Sequence, residues 1–389
     1  MVRPVAVGGT VEDMTGTGPI DDPTEDAARL PNAGPASVTS SRRRVGDADL
    51  DATIDRVLEL VGERVRDNDG RLDNRDQLRE ILVSGVRMAI DSSDGRADRL
   101  DLKIANAALA EMRDAYLTFG PLRGVRKVTI FGSARTEVGS PLYEQTKMLA
   151  AAMAAQGWMV VTGAGPGIMA AGLEGAGRAN ALGAAIRLPF ESESSDLLYP
   201  DHLVDMRYFF TRKLALIRES DAFVCMPGGF GTLDETFELL TLLQTGKATP
   251  VPIVMLGLGQ GFWHALDRFI DVMIEQGWVG SSDRALYRVT NSVDEAVQEL
   301  MGFYANHHSI RWVGDRLVLR MQRRPTDAQL DDLVAKFGSY ATDGVIVRAD
   351  ASPVERAERD HLELARLSMH FNRRQPGRLR QLIDAVNGW

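Results

Sequence analysis

Ten consecutive residues, Met226-Pro227-Gly228-Gly229-Phe230-Gly231-Thr232-Leu233-Asp234-Glu235, bring three glycines, a hydroxyl and two carboxylates into one short stretch. An apolar run, Asp221 to Cys225, precedes it and an apolar-periodic segment, Phe237 to Leu243, follows, so the pattern predicts strand, glycine turn and helix. Without a Cβ, Gly228, Gly229 and Gly231 let the backbone approach a ligand, and the free N–H groups of the next helix favour an anion. Phosphate is the expected occupant, bounded by Thr232. Glu235 falls one helical turn inside that start. A simple anion cradle gains nothing from a second negative charge, so the carboxylate points to chemistry on a sugar phosphate. The same residue has a second reading, because Thr232-x-x-Glu235 matches a helix capping box, a feature contributing about 1 kcal/mol.

Two further glycine turns follow apolar runs: Phe131-Gly132-Ser133-Ala134-Arg135 and Gly163-Ala164-Gly165-Pro166-Gly167-Ile168-Met169. Such turns also serve simply to pack a helix tightly on a sheet. The second departs from the dinucleotide fingerprint in its glycine spacing, and neither ends in the Gly-Lys-Ser/Thr of a P-loop. Nicotinamide-dependent oxidation and nucleoside triphosphate hydrolysis therefore lack their machinery. Thr211-Arg212-Lys213 opens another helical pattern, Leu214 to Ile217. At that junction Arg212 could clamp a phosphate, stack on a base, or form a surface ion pair. Lys213 and Lys247 have no neighbouring pattern marking a pyridoxal Schiff base. Cys225 reads as core packing, the six histidines form no metal constellation, and Trp158, Trp263 and Trp278 read as closing helix-to-sheet contacts.

Positioning these residues requires an α/β core. From about 122 to 306 short apolar runs alternate with helical periodicity: strands at Lys127–Phe131, Met159–Thr162, Gly183–Leu188, Leu203–Met206, Ala222–Met226 and Pro252–Leu256, with an edge at Tyr287–Val289. Helices are expected at Tyr143–Gln156, Ile168–Asn180, Arg212–Glu219, Leu233–Thr245 and Phe262–Gln276. That alternation predicts a parallel sheet covered on both faces, with ligands outside the carboxyl ends of its strands. Residues 1–48 read as a disordered arm, and 49–121 as about three helices. The tail, 309–389, reads as a small α+β module with strands at Arg316–Met321, Gly344–Arg348 and Leu364–Phe371 and helices at Asp327–Phe337 and Gly377–Val386.

The bulk composition narrows the class. A chain of 389 residues with 44% apolar content exceeds one hydrophobic core and predicts two or three folded units. A formal net charge of -9 argues against nucleic-acid binding over the whole surface. One cysteine excludes an intramolecular disulfide, no apolar run spans a bilayer, and no signal-peptide pattern opens the chain, so a soluble, cytoplasmic protein is expected.

The combination of Arg212-Lys213, Pro227-Gly228-Gly229-x-Gly231-Thr232-x-x-Glu235 and the upstream loop Gly163 to Met169 resembles the Lonely Guy (LOG) family of nucleoside 5′-monophosphate phosphoribohydrolases, often labelled lysine decarboxylases. The resemblance covers roughly 125 to 300. It implies a Rossmann-like, dimeric core that cleaves the N-glycosidic bond of AMP-like or cytokinin riboside monophosphates, without a cofactor. By motif it makes Arg212 and Glu235 the catalytic pair. Gly228, Gly229, Gly231 and Thr232 match the phosphate loop, with Gly132, Ser133, Gly163, Gly165, Gly167, Met169 and Lys213 as further substrate contacts. The family's Gly-Gly-Gly-x-x-Gly-Leu-Met-Gly is altered here at Ala164, Ile168 and Ala170, which bears on base selectivity. Met369-His370-Phe371-Asn372-Arg373-Arg374-Gln375-Pro376-Gly377 resembles a segment of the long bacterial nucleotide nucleosidases. This second likeness implies oligomerisation and a nucleotide regulator of the guanosine tetraphosphate type at the C-terminal module. A solvated basic helix face from Arg373 to Arg380 is the other reading. The rival function is a nucleotide-sensing or cofactor-carrying protein on the same core.

Overall fold

Seven apolar segments of the central region pair side by side as a wholly parallel sheet. They are β1 Lys127–Phe131, β2 Met159–Thr162, β3 Ala181–Ile186, β4 Leu203–Met206, β5 Ala222–Cys225, β6 Ile253–Leu256 and β7 Arg288–Thr290, in the order β4-β3-β2-β1-β5-β6-β7. This computed structural model describes residues 48–62, 74–93, 95–187, 196–259 and 261–389, all within the unit Ala48–Trp389. The arm expected at 1–48 lies, up to residue 47, outside the described residues.

Register follows from burial on both faces. Val128, Ile130, Val160, Val161 and Val224 are fully buried, as strands with helices above and below require. β3 begins two residues before the expected Gly183, because Ala181 and Leu182 pair with Val160 and Val161. Leu188, the expected end of that strand, lies outside the described residues.

Helices cover the two faces. On one side α4 Pro141–Ala155, α5 Ile168–Ala176 and α9 Val293–Gly302 contribute Leu149, Met153, Leu173, Ala296 and Leu300. On the other, α3 Arg99–Phe119, α6 Phe209–Arg218, α7 Phe230–Gln244 and α8 Phe262–Glu275 contribute Phe119, Leu216, Leu239, Leu243 and Trp263. The last of three N-terminal helices is thus part of the sheet's cover, whereas α1 Ala48–Val61 and α2 Arg75–Ser93 share a small core of Ile54, Leu58 and Val83. Trp158 and Trp263 are buried as expected, but Trp278 is 72% exposed and closes no helix-to-sheet contact.

The C-terminal residues build an antiparallel sheet, β10-β11-β9-β8, from β8 His307–Val313, β9 Arg316–Met321, β10 Ala341–Ala349 and β11 Ala365–Phe371. α10 Asp327–Phe337, α11 Pro353–Glu358 and α12 Pro376–Asn387 accompany it. Arg320 and Arg366 both donate to the fully buried Glu355. Burial would raise that carboxyl, yet the Ser352 amide and hydroxyl and the two guanidinium groups outweigh it and hold its pKa at about 2. The expected basic face of the tail is not wholly solvated: Arg380 is buried and paired with Glu299 of α9 and Asp384. At the start of α12 a Cβ built on Gly377 would stand 2.0 Å from Ser282 O, so only glycine permits this approach to the 3₁₀ turn Ser281–Leu286.

Candidate functional site

The chain leaves β1 for β2, β3 and β4 on one side, then returns to place β5 on the other. This reversal opens a crevice at the carboxyl ends of β1, β2 and β5. Three connections meet there. The Ser133 amide donates to Pro227 O at 3.3 Å, and Ser133 O accepts from the Ile168 amide at 3.0 Å. Their contact leaves no room for side chains. A Cβ on Gly132 would lie 2.5 Å from Ile168 Cγ2, one on Gly228 2.1 Å from Thr232 Oγ1, and one on Gly167, at φ +67°, 2.4 Å from Ser133 O. Gly229 and Gly231 differ, since nothing lies within 4 Å of their Cβ positions.

α7 starts at Phe230 with Gly229 as its cap, so its first N–H groups face this crevice. Thr232 therefore lies within the first turn, and Glu235 sits deeper in the helix than a capping position. The capping-box alternative is thereby displaced: no side chain caps this helix. Glu235, 4% exposed, instead accepts from Arg212 Nη2 on α6 through Oε1 at 3.2 Å. Glu235 Oε2 and Arg212 Nε are both buried with no hydrogen-bond partner. Burial raises the Glu235 carboxyl above its usual range, with Arg212 and Lys213 pulling the other way. Gly163 adjoins the pair, its Cβ position lying 3.6 Å from Arg212 Nη1 and 2.7 Å from Met169 Sδ. Gly165 lies in the same connection.

The profile of the family described as "Possible lysine decarboxylase" matches residues 151–300. A cytokinin riboside 5′-monophosphate phosphoribohydrolase of Arabidopsis thaliana is 32% identical over 99 residues, covering 25% of this chain and 46% of that protein. Residues 151–300 form a LOG/lysine decarboxylase-like domain. A probable enzyme of the same description from Oryza sativa subsp. japonica is also 32% identical over 99 residues, again 25% of this chain and 46% of the relative. The chain thus spans less than half the length of these curated relatives. The molybdenum cofactor carrier protein of Chlamydomonas reinhardtii aligns at 21% identity and a TM-score of 0.32, over 46% of this chain and 98% of that chain.

Within the LOG-like domain, Lys213 takes a different direction from its neighbour Arg212. Its Nζ pairs with Asp234 at 2.5 Å and Glu238 at 2.7 Å, beside a groove of about 600 Å³ lined by Phe209, Phe210, Leu214 and Leu242. That charge is committed to two carboxylates, which counts against the expected substrate contact. Cys225 is buried, and its thiol is pushed up to about 12 by that burial, consistent with packing.

One residue of consequence has no local sequence signal. Glu111, on α3, accepts from the amides of Arg207 and Tyr208 and from Thr211 Oγ1 at 2.6 Å. It therefore anchors the turn leading into α6 from nearly one hundred residues away, and through Thr211 the first turn that carries Arg212. His307 is likewise unannounced: both ring nitrogens are buried without partners, between the rings of Phe303 and Tyr304. Among the described residues no group of three or more His, Cys, Asp or Glu could hold a metal ion, and no helix is long and apolar enough to cross a membrane.

Proposed function

We propose that this protein hydrolyses the N-glycosidic bond of nucleoside 5′-monophosphates, releasing free base and ribose 5-phosphate. The observation that carries the reading is the pair of half-buried Arg212 and buried Glu235 beside three glycine connections, with the buried atoms Glu235 Oε2 and Arg212 Nε unpartnered. Buried polar atoms rarely go unsatisfied, and a ribose hydroxyl and the substrate's polar edge supply what these two lack.

Held by its phosphate at Gly228, Gly229, Gly231 and Thr232, the substrate gains position from its nonreacting end. Glu235 then faces the ribose. Its charge stabilises the oxocarbenium-like sugar as the C–N bond lengthens, or orients the attacking water. The water's hydroxyl joins C1′ and its proton ends on the departing base. Arg212 lowers the Glu235 pKa against the effect of burial, favouring the carboxylate, and meets charge accumulating on base or phosphate. Gly132, Ser133, Gly163, Gly165, Gly167 and Met169 shape the pocket around this ligand.

The relatives' activity on cytokinin riboside 5′-monophosphates makes N6-substituted adenine nucleotides candidates beside AMP. The exposed Phe209, Phe210 and Leu214 along the α6–α7 groove support a homodimer or larger homo-oligomer. A nucleotide effector at the C-terminal module and a cytoplasmic location belong to the same reading.

Incubating the protein and its Glu235→Gln variant with AMP, GMP, IMP, CMP, UMP and N6-isopentenyladenosine monophosphate, and following released base, tests it. Base released by the parent and lost in the variant supports the reaction. Binding without release would make the protein a sensor or carrier.

A further inference from the structure

Among the described residues, both basic side chains at the start of α6 are paired beside the proposed phosphate site. Arg212 is paired with Glu235, and Lys213 is paired with Asp234 and Glu238. Each shares its charge with carboxylate partners, so neither brings a full positive charge to a phosphate dianion. Helix dipoles and backbone N–H groups supply only partial charges. The three strand-to-helix connections, residues 132–140, 163–167 and 226–229, contain one basic residue, Arg135, and one acidic residue, the exposed Glu137.

The backbone of Arg135 is held beside the proposed phosphate loop. It sits in a turn in which the Thr136 amide donates to Ser133 O and the Arg135 amide donates to Ser133 Oγ at 3.1 Å. Ser133 is the residue whose own amide and carbonyl tie the other two connections together, at Pro227 and Ile168. A Cβ on Gly228 would stand 2.9 Å from the Ser133 amide nitrogen, so this turn abuts the phosphate loop. Among the described residues the exposed Arg135 guanidinium has no ion pair, no hydrogen bond and no ring contact.

Resting on the nucleotide-hydrolase reading, we propose that Arg135 reads the substrate's terminal charge: its guanidinium forks onto the 5′-phosphate and makes the site selective for phosphorylated over unphosphorylated ribosides. Arginine suits the task, since its planar donor pair matches two phosphate oxygens and stays charged at every relevant pH.

The experiment compares binding of AMP, ribose 5-phosphate and adenosine to the full chain and to its Arg135→Ala and Arg135→Lys variants, with turnover of AMP measured in parallel. Arg135→Ala should weaken AMP and ribose 5-phosphate by about 10- to 100-fold, the scale of a charge-assisted contact, and leave adenosine unchanged. The loss in turnover should appear mainly in KM, added salt should matter less in the variant, and Arg135→Lys should recover part of the affinity. Equal AMP affinity in parent and Arg135→Ala overturns the proposal, as does an equal loss for adenosine. If phosphate selectivity falls in the variant while the parent releases no base, Arg135 keeps its role and the hydrolase reading fails.

Discussion

Arg212 Nη2 and Glu235 Oε1 meet at 3.2 Å, and each partner leaves one buried atom, Nε and Oε2, turned to nothing in the protein. The proposed substrate would satisfy both atoms. Glu235→Gln should keep nucleotide affinity within a few-fold and lower turnover by roughly 10²-fold, the scale of one positioned carboxylate. Isothermal binding and base release on one preparation check both halves, and near-normal turnover would remove Glu235 from the chemistry.

The same pair has a titration consequence. Burial raises the Glu235 carboxyl and Arg212 pulls it back. Arg212→Ala removes a lowering influence, so the carboxyl should titrate at still higher pH. A carbon-13 NMR titration of the Glu235 side chain reads this directly; an unchanged or lower value would contradict the pairing.

The glycines divide into two kinds with opposite expected outcomes. At Gly228 and Gly167 an added Cβ meets protein, at 2.1 Å and 2.4 Å; alanine there should lower the melting temperature and abolish nucleotide binding together. At Gly231 an added Cβ meets nothing. Gly231→Ala should stabilise α7 by about 0.5–1 kcal/mol while weakening nucleotide binding, because the methyl group enters space the proposed phosphate would take. Melting curves with and without AMP separate the two cases.

Glu111→Ala should act on the site from a distance. It removes acceptors from two amides and leaves the Thr211 hydroxyl without its carboxylate partner, costing about 2 kcal/mol. Faster amide hydrogen exchange at the start of α6, with a lower kcat, is the expected result.

Acid should destabilise the C-terminal module. Burial holds His307 at about 3, far below the ordinary 6.5, so the folded protein binds fewer protons than the unfolded chain. His307's contribution is complete above pH 6.5 and is lost as pH falls toward about 3, with a total on the order of a few kcal/mol. His307→Leu should flatten the dependence of unfolding free energy on pH between 6.5 and 4 by about one proton.

Much of this architecture was legible because fully buried strands read as apolar runs. Lys127–Phe131 and Met159–Thr162 appear at the expected residues, as does the tail strand Arg316–Met321. α6 and α7 begin three residues earlier than periodicity indicates, at Phe209 and Phe230. Their first turns carry exposed aromatics, which break an inward-facing pattern. That shift at Phe230 is what moved Glu235 out of the capping position.

β8 escaped notice because His307–Val313 is an edge strand whose residues, apart from His307, are only half-buried, so its alternation is weak. α11 is six residues long, too short to show a period. Glu111 was beyond reach for a different reason: its partners lie 96 to 100 residues away, and no local pattern encodes such a contact.

The position of β1 between β2 and β5 also governs when the site can exist. A chain synthesised through β4 already holds the glycine connections after β1 and β2, yet β1 still lacks its other neighbour, and Ser133 has no Pro227 to hold. Pairing of Val128 with Ala222 and Phe131 with Cys225 closes that gap across nearly one hundred residues, the kind of long-range step that is slow in folding. Under the proposed function, nucleotide therefore has nothing to grip on a half-made chain. Its capture reports that the middle of the sheet has closed, and the ligand's binding energy then accrues to completed molecules alone.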